Sequence, residues 1–356
     1  MKRVVVNDFL DEIEVHPKGL FQNFIDICTE SSEELLKQKK NFVESSCPAC
    51  SSPDKEHAFG KYGYTYWICS RCATLFISPR PSAALIEWYL KSSPVSVFRS
   101  SNEYQKAMNK RITEQAAYRA GWLYDLCKQE DIDGKGPIID LETRSKEFVT
   151  ELKKYKLEPL ILVQPSENLE NSLAQSKESP DIAHNLGDIA GSNARVISMF
   201  DILEHQSNPF ELLQSIHEAL GPDGLLVMTT RSGSGFDIQV LWGDSTILPV
   251  EHMNLISIEG MRLLLKKVGF ELLEISTPGQ LDVQMIERVF SGDSQACVPY
   301  FIKYFLKHRD SFAKNRLQQF LQENLLSSHL RIVAKKNSVG EKISYGGNNG
   351  QSGKKL

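Results

Sequence analysis

No stretch of this 356-residue chain comes near the ~18–20 consecutive apolar residues that a spanning helix needs, so no membrane-spanning helix is expected. The start, Met1-Lys2-Arg3-Val4-Val5-Val6, is basic. Asn7 and Asp8 end its apolar run too early for a secretory signal, and the expected compartment is the cytoplasm. An excess of positive charge is also missing. The 41 Lys and Arg against 45 Asp and Glu give a formal net charge of −4, so nucleic acid is not an expected general partner. No Gly-x-Gly-x-x-Gly fingerprint is present, which argues against a dinucleotide-dependent dehydrogenase. What remains is 41% hydrophobic and 24% charged, as expected of one large soluble domain with smaller attachments.

Cysteine is sparse but patterned. Four of the seven form two pairs, Cys47-Pro48-Ala49-Cys50 and Cys69-Ser70-Arg71-Cys72, with eighteen residues between the pairs. Two such knuckles can set four thiolates around one Zn²⁺ at about 2.3 Å from each sulfur. Between them Tyr62, Tyr64, Tyr66 and Ile68 alternate like a half-exposed strand, which predicts a zinc ribbon. Disulfides are the competing reading, disfavoured without a secretory signal, and a redox pair fits poorly because there are two pairs. All four ligand positions are filled by cysteine, so this zinc is expected to support folding rather than catalysis. His57 lies off the ligand spacing and is read as a surface residue.

The expected organisation follows from the punctuation. Residues 1–46 are a helical lead-in, with Ser31-x-x-Glu34 as a capping box. Residues 47–81 are the ribbon, and 82–135 a helical linker or cap whose long helix spans Tyr104–Lys128. That helix either covers the mouth of the main domain or simply packs on its sheet. Residues 136–335 are an α/β domain and 336–356 a disordered tail. In the domain, strands are predicted at Ile138–Leu141, Leu160–Val163, Arg195–Phe200, Leu225–Thr230 and Phe270–Ser276, with Ser327–Ala334 closing the sheet antiparallel. Helices are predicted at Lys146–Lys154, Ser166–Ala174 and Ser257–Val268, the last ending at Gly269. A helical insertion, 278–326, offers Tyr300, Tyr304, Phe305, Phe312 and Phe320 for a lid or an interface.

The most informative stretch begins at Arg195. A short apolar run ends on three polar residues, Asp201, Glu204 and His205; Asn208-Pro209-x-Glu211 then caps a helix that stops at Gly221-Pro222. His217 is read as facing outward from that helix. Parallel sheets bind ligands just beyond the carboxyl ends of their strands, so Asp201–His205 is the first place to look for chemistry.

FDILEH, NPFELLQSIHEALGPDGLLVMTT, PVEHMNL and KKVGFELLEISTPGQLDV, in that order, resemble the later half of a class I S-adenosylmethionine-dependent methyltransferase. The subgroup most similar to this chain carries a cysteine-rich zinc segment ahead of the domain. The resemblance implies an α/β fold: a Rossmann-like seven-stranded methyltransferase sheet with helices on both faces, preceded by a small zinc ribbon and helices. It implies S-adenosylmethionine near Asp140, Leu141, Glu142, Gln164, Asp188, Ile189, Phe200, Asp201 and Glu204, with structural zinc on Cys47, Cys50, Cys69 and Cys72. His205, Glu251 and His252 are the candidates for catalysis, and the acceptor is a small molecule or glycan precursor methylated on oxygen or carbon.

One segment departs from that family's pattern. Where a glycine-rich loop is expected, the chain reads Asp140-Leu141-Glu142-Thr143-Arg144-Ser145-Lys146, with charged side chains at all three glycine positions. At positive φ each costs roughly 1 kcal/mol or more. Gln164 also replaces the acid expected to hold the ribose hydroxyls. Two readings follow: a rebuilt loop that still serves methyl transfer, or a domain that keeps the fold, has lost the cofactor and acts as a binding module. A zinc-ribbon adaptor for protein or nucleic acid is a third, with thin basic support from Lys55, Lys61, Arg71 and Arg80.

Overall fold

The two cysteine pairs sit in a small antiparallel sheet at the head of the computed structural model, which describes residues 18–132, 136–143, 145–164, 169–170, 173, 180–292 and 296–337. Helix α1 (Lys18–Leu36) leads in. Strands β1 (Phe42–Val43), β2 (Lys55–Lys61), β3 (Tyr64–Cys69), β4 (Leu75–Ile77) and β5 (Arg80–Pro81) follow. β2, β3 and β4 form a meander, and β1 pairs separately with β5. Tyr62 is not part of the alternation expected from sequence. It occupies the β2–β3 turn with Gly63, both at positive φ, while Tyr64 and Tyr66 fill the buried face. Helices α2 (Ala83–Ser92), α3 (Pro94–Ser100) and α4 (Asn102–Gln129) then cross to the main domain. The Ser101 hydroxyl caps α4 by accepting from the Tyr104 N–H.

The main sheet uses β6 (Ile138–Leu141), β7 (Leu160–Val163), β8 (Asp181–Ala183), β9 (Ala194–Phe200), β10 (Leu220–Arg231), β12 (Phe270–Ser276) and β13 (His329–Lys336). Their order is β12-β13-β10-β9-β6-β7-β8. Only β13 runs against its neighbours. Each central strand is a continuous buried run because helices cover both faces of a parallel sheet. Helices α5 (Lys146–Lys154), α6 (Pro209–Ala219) and α8 (Ile258–Val268) accompany the strands. α8 is capped by Ser257 and stops at Gly269, whose φ of 107° suits a residue without Cβ. The chain goes from β6 outward to β8, then returns to β9 on the other side. The switch point of the sheet therefore lies between β6 and β9.

Several expectations change. The third strand is Asp181–Ala183, and Asp188-Ile189 lie beyond it in the single turn Leu186–Ile189. Lys146 is the first residue of α5, which Ser145 caps, so its side chain carries no glycine-position strain. His217 does not face outward: it is half-buried, with its ring edge-on to Phe270 at 5.1 Å. Lys336 belongs to β13 rather than to the tail. The insertion comprises α9 (Asp282–Gly292), α10 (Tyr300–His308) and α11 (Ser311–Glu323). Residues 1–17, most of the Ser166–Ala174 helix, and the tail from residue 338 lie outside the described residues.

The ribbon is joined to the main domain by backbone. Strand β11 (Asn254–Leu255), from the loop after short helix α7 (Phe236–Leu241), pairs with β4 and becomes the fourth strand of the ribbon sheet. Ile77 N–H donates to the Met253 carbonyl at 3.0 Å. Leu75, Ile77, Val250, Met253 and Leu255 share one core, and burying each such side chain contributes about 1.5–3 kcal/mol.

Candidate functional site

The four ribbon thiols converge. Cys47 Sγ is 3.6 Å from Cys72 Sγ and Cys50 Sγ is 3.5 Å from Cys69 Sγ, with all four within 4.8 Å of one another. Tetrahedral coordination with bonds of about 2.3 Å puts sulfurs about 3.8 Å apart, so this thiol set fits a metal ion. Each knuckle closes the same way. Ser51 N–H donates to the Cys47 carbonyl and Ala73 N–H to the Cys69 carbonyl, and both residues adopt positive φ.

A cavity of about 680 Å³ lies beyond the carboxyl ends of β9 and β10. α4 and the start of α1 roof it, and its polar wall includes Glu204, His205, Arg231, Glu251 and His252. Asp201 reaches it too, at φ 58°, accepting from Thr229 Oγ1 at 2.8 Å and from Arg119 Nη2 at 2.5 Å. Burial pushes the Asp201 carboxyl up, but the Arg119 guanidinium overrides it and holds the group down at about 2. Arg119 in turn stacks on the Phe200 ring at 4.5 Å. Glu204 behaves oppositely. Burial, reinforced by the neighbouring Asp201 charge, pushes its carboxyl up to about 7, although Thr230 Oγ1 donates to it at 2.7 Å.

Glu251 is buried, and its Oε2 accepts from Arg99 Nη2 at 2.6 Å. Its Oε1 has no hydrogen-bond partner among the described residues. Burial opposes its charge, yet Arg99 keeps the carboxyl ionised down to about 2. His252 Nδ1 lies 3.0 Å from the Leu248 N–H and 3.2 Å from the Leu248 carbonyl, which also accepts the His252 amide at 2.8 Å. Burial plus the Arg231 charge lower the ring's pKa to about 3, so His252 stands at the cavity wall as a neutral ring.

This loop hangs from the ribbon. Tyr66 OH donates to the His252 carbonyl at 3.2 Å. Arg80, almost fully buried, donates to Asn254 Oδ1 at 2.8 Å, and Asn254 Nδ2 donates to the carbonyls of Leu203 and Gln206 at 3.1 and 2.7 Å. Sequence reasoning missed Arg80 and Asn254 as site supports; the only signal was an arginine between two prolines.

The residues expected to hold a cofactor divide between two places. Glu204 and Asp201 face the cavity. Asp140 does not: its buried carboxyl accepts from Ser198 and Thr143, and burial raises it to about 6. Leu141 and Ile189 are core residues. Asp188 is exposed, and its Oδ2 accepts from the backbone N–H groups of His184 and Asn185. Gln164 is exposed at the end of β7. Three residues nevertheless form a row along the rim. Glu142, Gln164 and Asp201 each follow their strand directly, at φ 51°, 49° and 58°. Each donates its N–H to a carbonyl on the neighbouring strand, at Val163, Ala183 and Thr229. Non-glycine residues in this conformation carry about 1 kcal/mol of strain or more, and such strain gathers where ligands bind.

The fit of S-adenosylmethionine to this rim is conditional. The exposed Gln164 amide and Asp188 carboxylate are suitable partners for nucleoside hydroxyl and amino groups. Across the switch point, however, Glu142 Oε2 lies 3.3 Å from His205 Nε2 and Glu142 Oε1 accepts from Gln206 Nε2 at 3.2 Å. The donor set fits once this one side chain turns out. Arg144 of the same loop lies outside the described residues.

A family described as "Methyltransferase domain" matches residues 105–275. No curated protein matches the chain. Among solved structures, the plantazolicin methyltransferase BamL, in complex with a triazolic desmethylPZN analog and SAH, is 11% identical with a TM-score of 0.45, the match covering 71% of this chain and 94% of that one. An S-adenosylmethionine-dependent methyltransferase from Mesorhizobium loti is 11% identical with a TM-score of 0.38 over 57% and 92% of the two chains. A SAM-dependent methyltransferase from Archaeoglobus fulgidus is 13% identical with a TM-score of 0.38 over 61% and 94%.

Proposed function

We propose that this chain, whose residues 105–275 match a methyltransferase-domain family, transfers a methyl group from S-adenosylmethionine to a small molecule held in the cavity under α4. One observation carries the reading. His205 faces the cavity and also contacts Glu142 on the rim of β6, so the acceptor space and the cofactor crevice share a wall. S-adenosylmethionine, when bound, supplies an electrophilic methyl group on a sulfonium. Methylation of a hydroxyl or amine would also set free the acceptor's proton, which this chain's own residues would have to take up.

The residues divide that work. Glu251 stays ionised beside Arg99, and its unpartnered Oε1 takes a hydroxyl or amine hydrogen of the acceptor, fixing its orientation. Glu204, close to neutrality in its proton affinity, receives the proton, and His205 orders the wall between the two spaces. α4 and α1 exclude water. A sugar of a glycan precursor meets this description, with oxygen or an acidic carbon methylated. The ion proposed for the ribbon is zinc, structural in role, and reduced thiols able to hold it support a cytoplasmic location.

The test is S-adenosylhomocysteine release when the protein is given S-adenosylmethionine and fractionated small-molecule extract. Release that is lost in Glu251→Gln supports the reading; a protein that binds S-adenosylmethionine but releases no product with any fraction overturns it. The Glu142 bridge favours a second reading, a binding module that holds a small molecule in the cavity without turnover.

A further inference from the structure

We infer that Glu142 decides whether the crevice between β6 and β9 admits S-adenosylmethionine: it is a specificity-determining side chain that bridges the switch point. The inference rests on the methyltransferase reading above and deepens it.

Glu142 leaves β6 at φ 51°, where the backbone favours glycine, yet a long acidic side chain stands there. That side chain is only partly exposed and crosses to the far side of the switch point. There it meets His205 Nε2 at 3.3 Å and Gln206 Nε2 at 3.2 Å, both on the turn that follows β9. Open α/β sheets take their ligands at this point, so a ligand entering from the rim has to displace the bridge. Both contacts are at the long end of the hydrogen-bond range, and both partners lie on a different element from Glu142. Gln206 is held from behind, since its carbonyl accepts from Asn254 Nδ2 at 2.7 Å. The far anchor is therefore fixed, and Glu142 is the movable part.

The experiment is calorimetric titration of the full chain with S-adenosylhomocysteine, comparing wild type with Glu142→Gly and Glu142→Asn. Glycine has no side chain to bridge with; asparagine tolerates positive φ and is too short to reach His205, and it serves if the glycine variant fails to fold. Both variants should bind at least about tenfold more tightly than wild type. Equal, measurable affinity in all three proteins overturns the role of Glu142 and leaves the methyltransferase reading standing. Absence of binding in all three, with normal melting, overturns both.

Discussion

Arg80 Nη1 donates to Asn254 Oδ1 at 2.8 Å inside the protein, and Asn254 passes the support on to the turn carrying Glu204 and His205. Arg80 lies in β5, the strand that leads out of the ribbon, so the relay couples the metal-binding unit to the candidate site. Asn254→Ala should take the side-chain acceptor from the buried Arg80 guanidinium, which keeps only the Ile77 and Ser207 carbonyls, and the amide donor from the Leu203 and Gln206 carbonyls. The expected loss is about 3 kcal/mol, measured by urea denaturation. A change below about 0.5 kcal/mol would show that the relay is not supporting the turn.

Removing the metal should act at the same place. Freshly purified protein is expected to hold about one equivalent of zinc by elemental analysis. Cys72→Ser should lose it and melt at a lower temperature. Because β11 completes the ribbon sheet, limited proteolysis of the stripped protein should cut first near 248–256. Unchanged cleavage there would separate the ribbon from the loop.

Gly260, in the first turn of α8, marks where the two parts touch. A Cβ there would lie 2.3 Å from Thr74 Oγ1 and 3.0 Å from Ala49 Cβ. Gly260→Ala is expected to cost roughly 1–3 kcal/mol through overpacking, despite alanine's better helix propensity, and thermal melting reads the sign directly.

The pH dependence of stability has a defined sign. Glu204, at about 7, and Asp140, at about 6, both hold protons more tightly folded than unfolded, where acids titrate near ~4. Their contribution to stability is therefore present at low pH and falls as pH rises from about 4 through those folded values. Glu204→Gln should flatten the fall between about pH 5 and 7, and should remove an inflection near pH 7 from kcat/KM. Retention of that inflection would exclude Glu204 as the proton acceptor.

Glu251 gives the opposite case. Its folded pKa is lowered to about 2, so its stabilisation is full above about 4.3 and is lost as pH falls towards 2. Glu251→Gln leaves the partly buried Arg99 without its counter-charge and should cost roughly 1–3 kcal/mol by denaturation. A near-neutral result would mean that water reaches Arg99.

How much of this was legible beforehand depends on the range of the interaction. Short apolar runs, the Asn208-Pro209 and Ser257 caps and the Gly269 stop placed β6, β7, β9, β12, α5 and α8 to within a residue or two. Local periodicity and capping chemistry act over one or two turns and are written in consecutive residues. The Cys-x-x-Cys spacing likewise announced the metal cluster. The loop at Glu142 was flagged by composition, and its positive φ was expected from the glycine it replaces.

The partners could not be read in this way. Glu142 meets His205 across 63 positions, Glu251 meets Arg99 across 152, and Arg80 meets Asn254 across 174. Such pairs are set by sheet order and by which helices roof the cavity, and a side chain's pKa, tautomer and accessibility follow from them. The sequence by itself determined the elements, the metal ligands and the residue types at the strand ends. Only the tertiary structure decided that Asp140 is sealed, that the Leu248 backbone engages His252 Nδ1, and that Glu142 stands across the switch point, because each depends on neighbours brought together by folding.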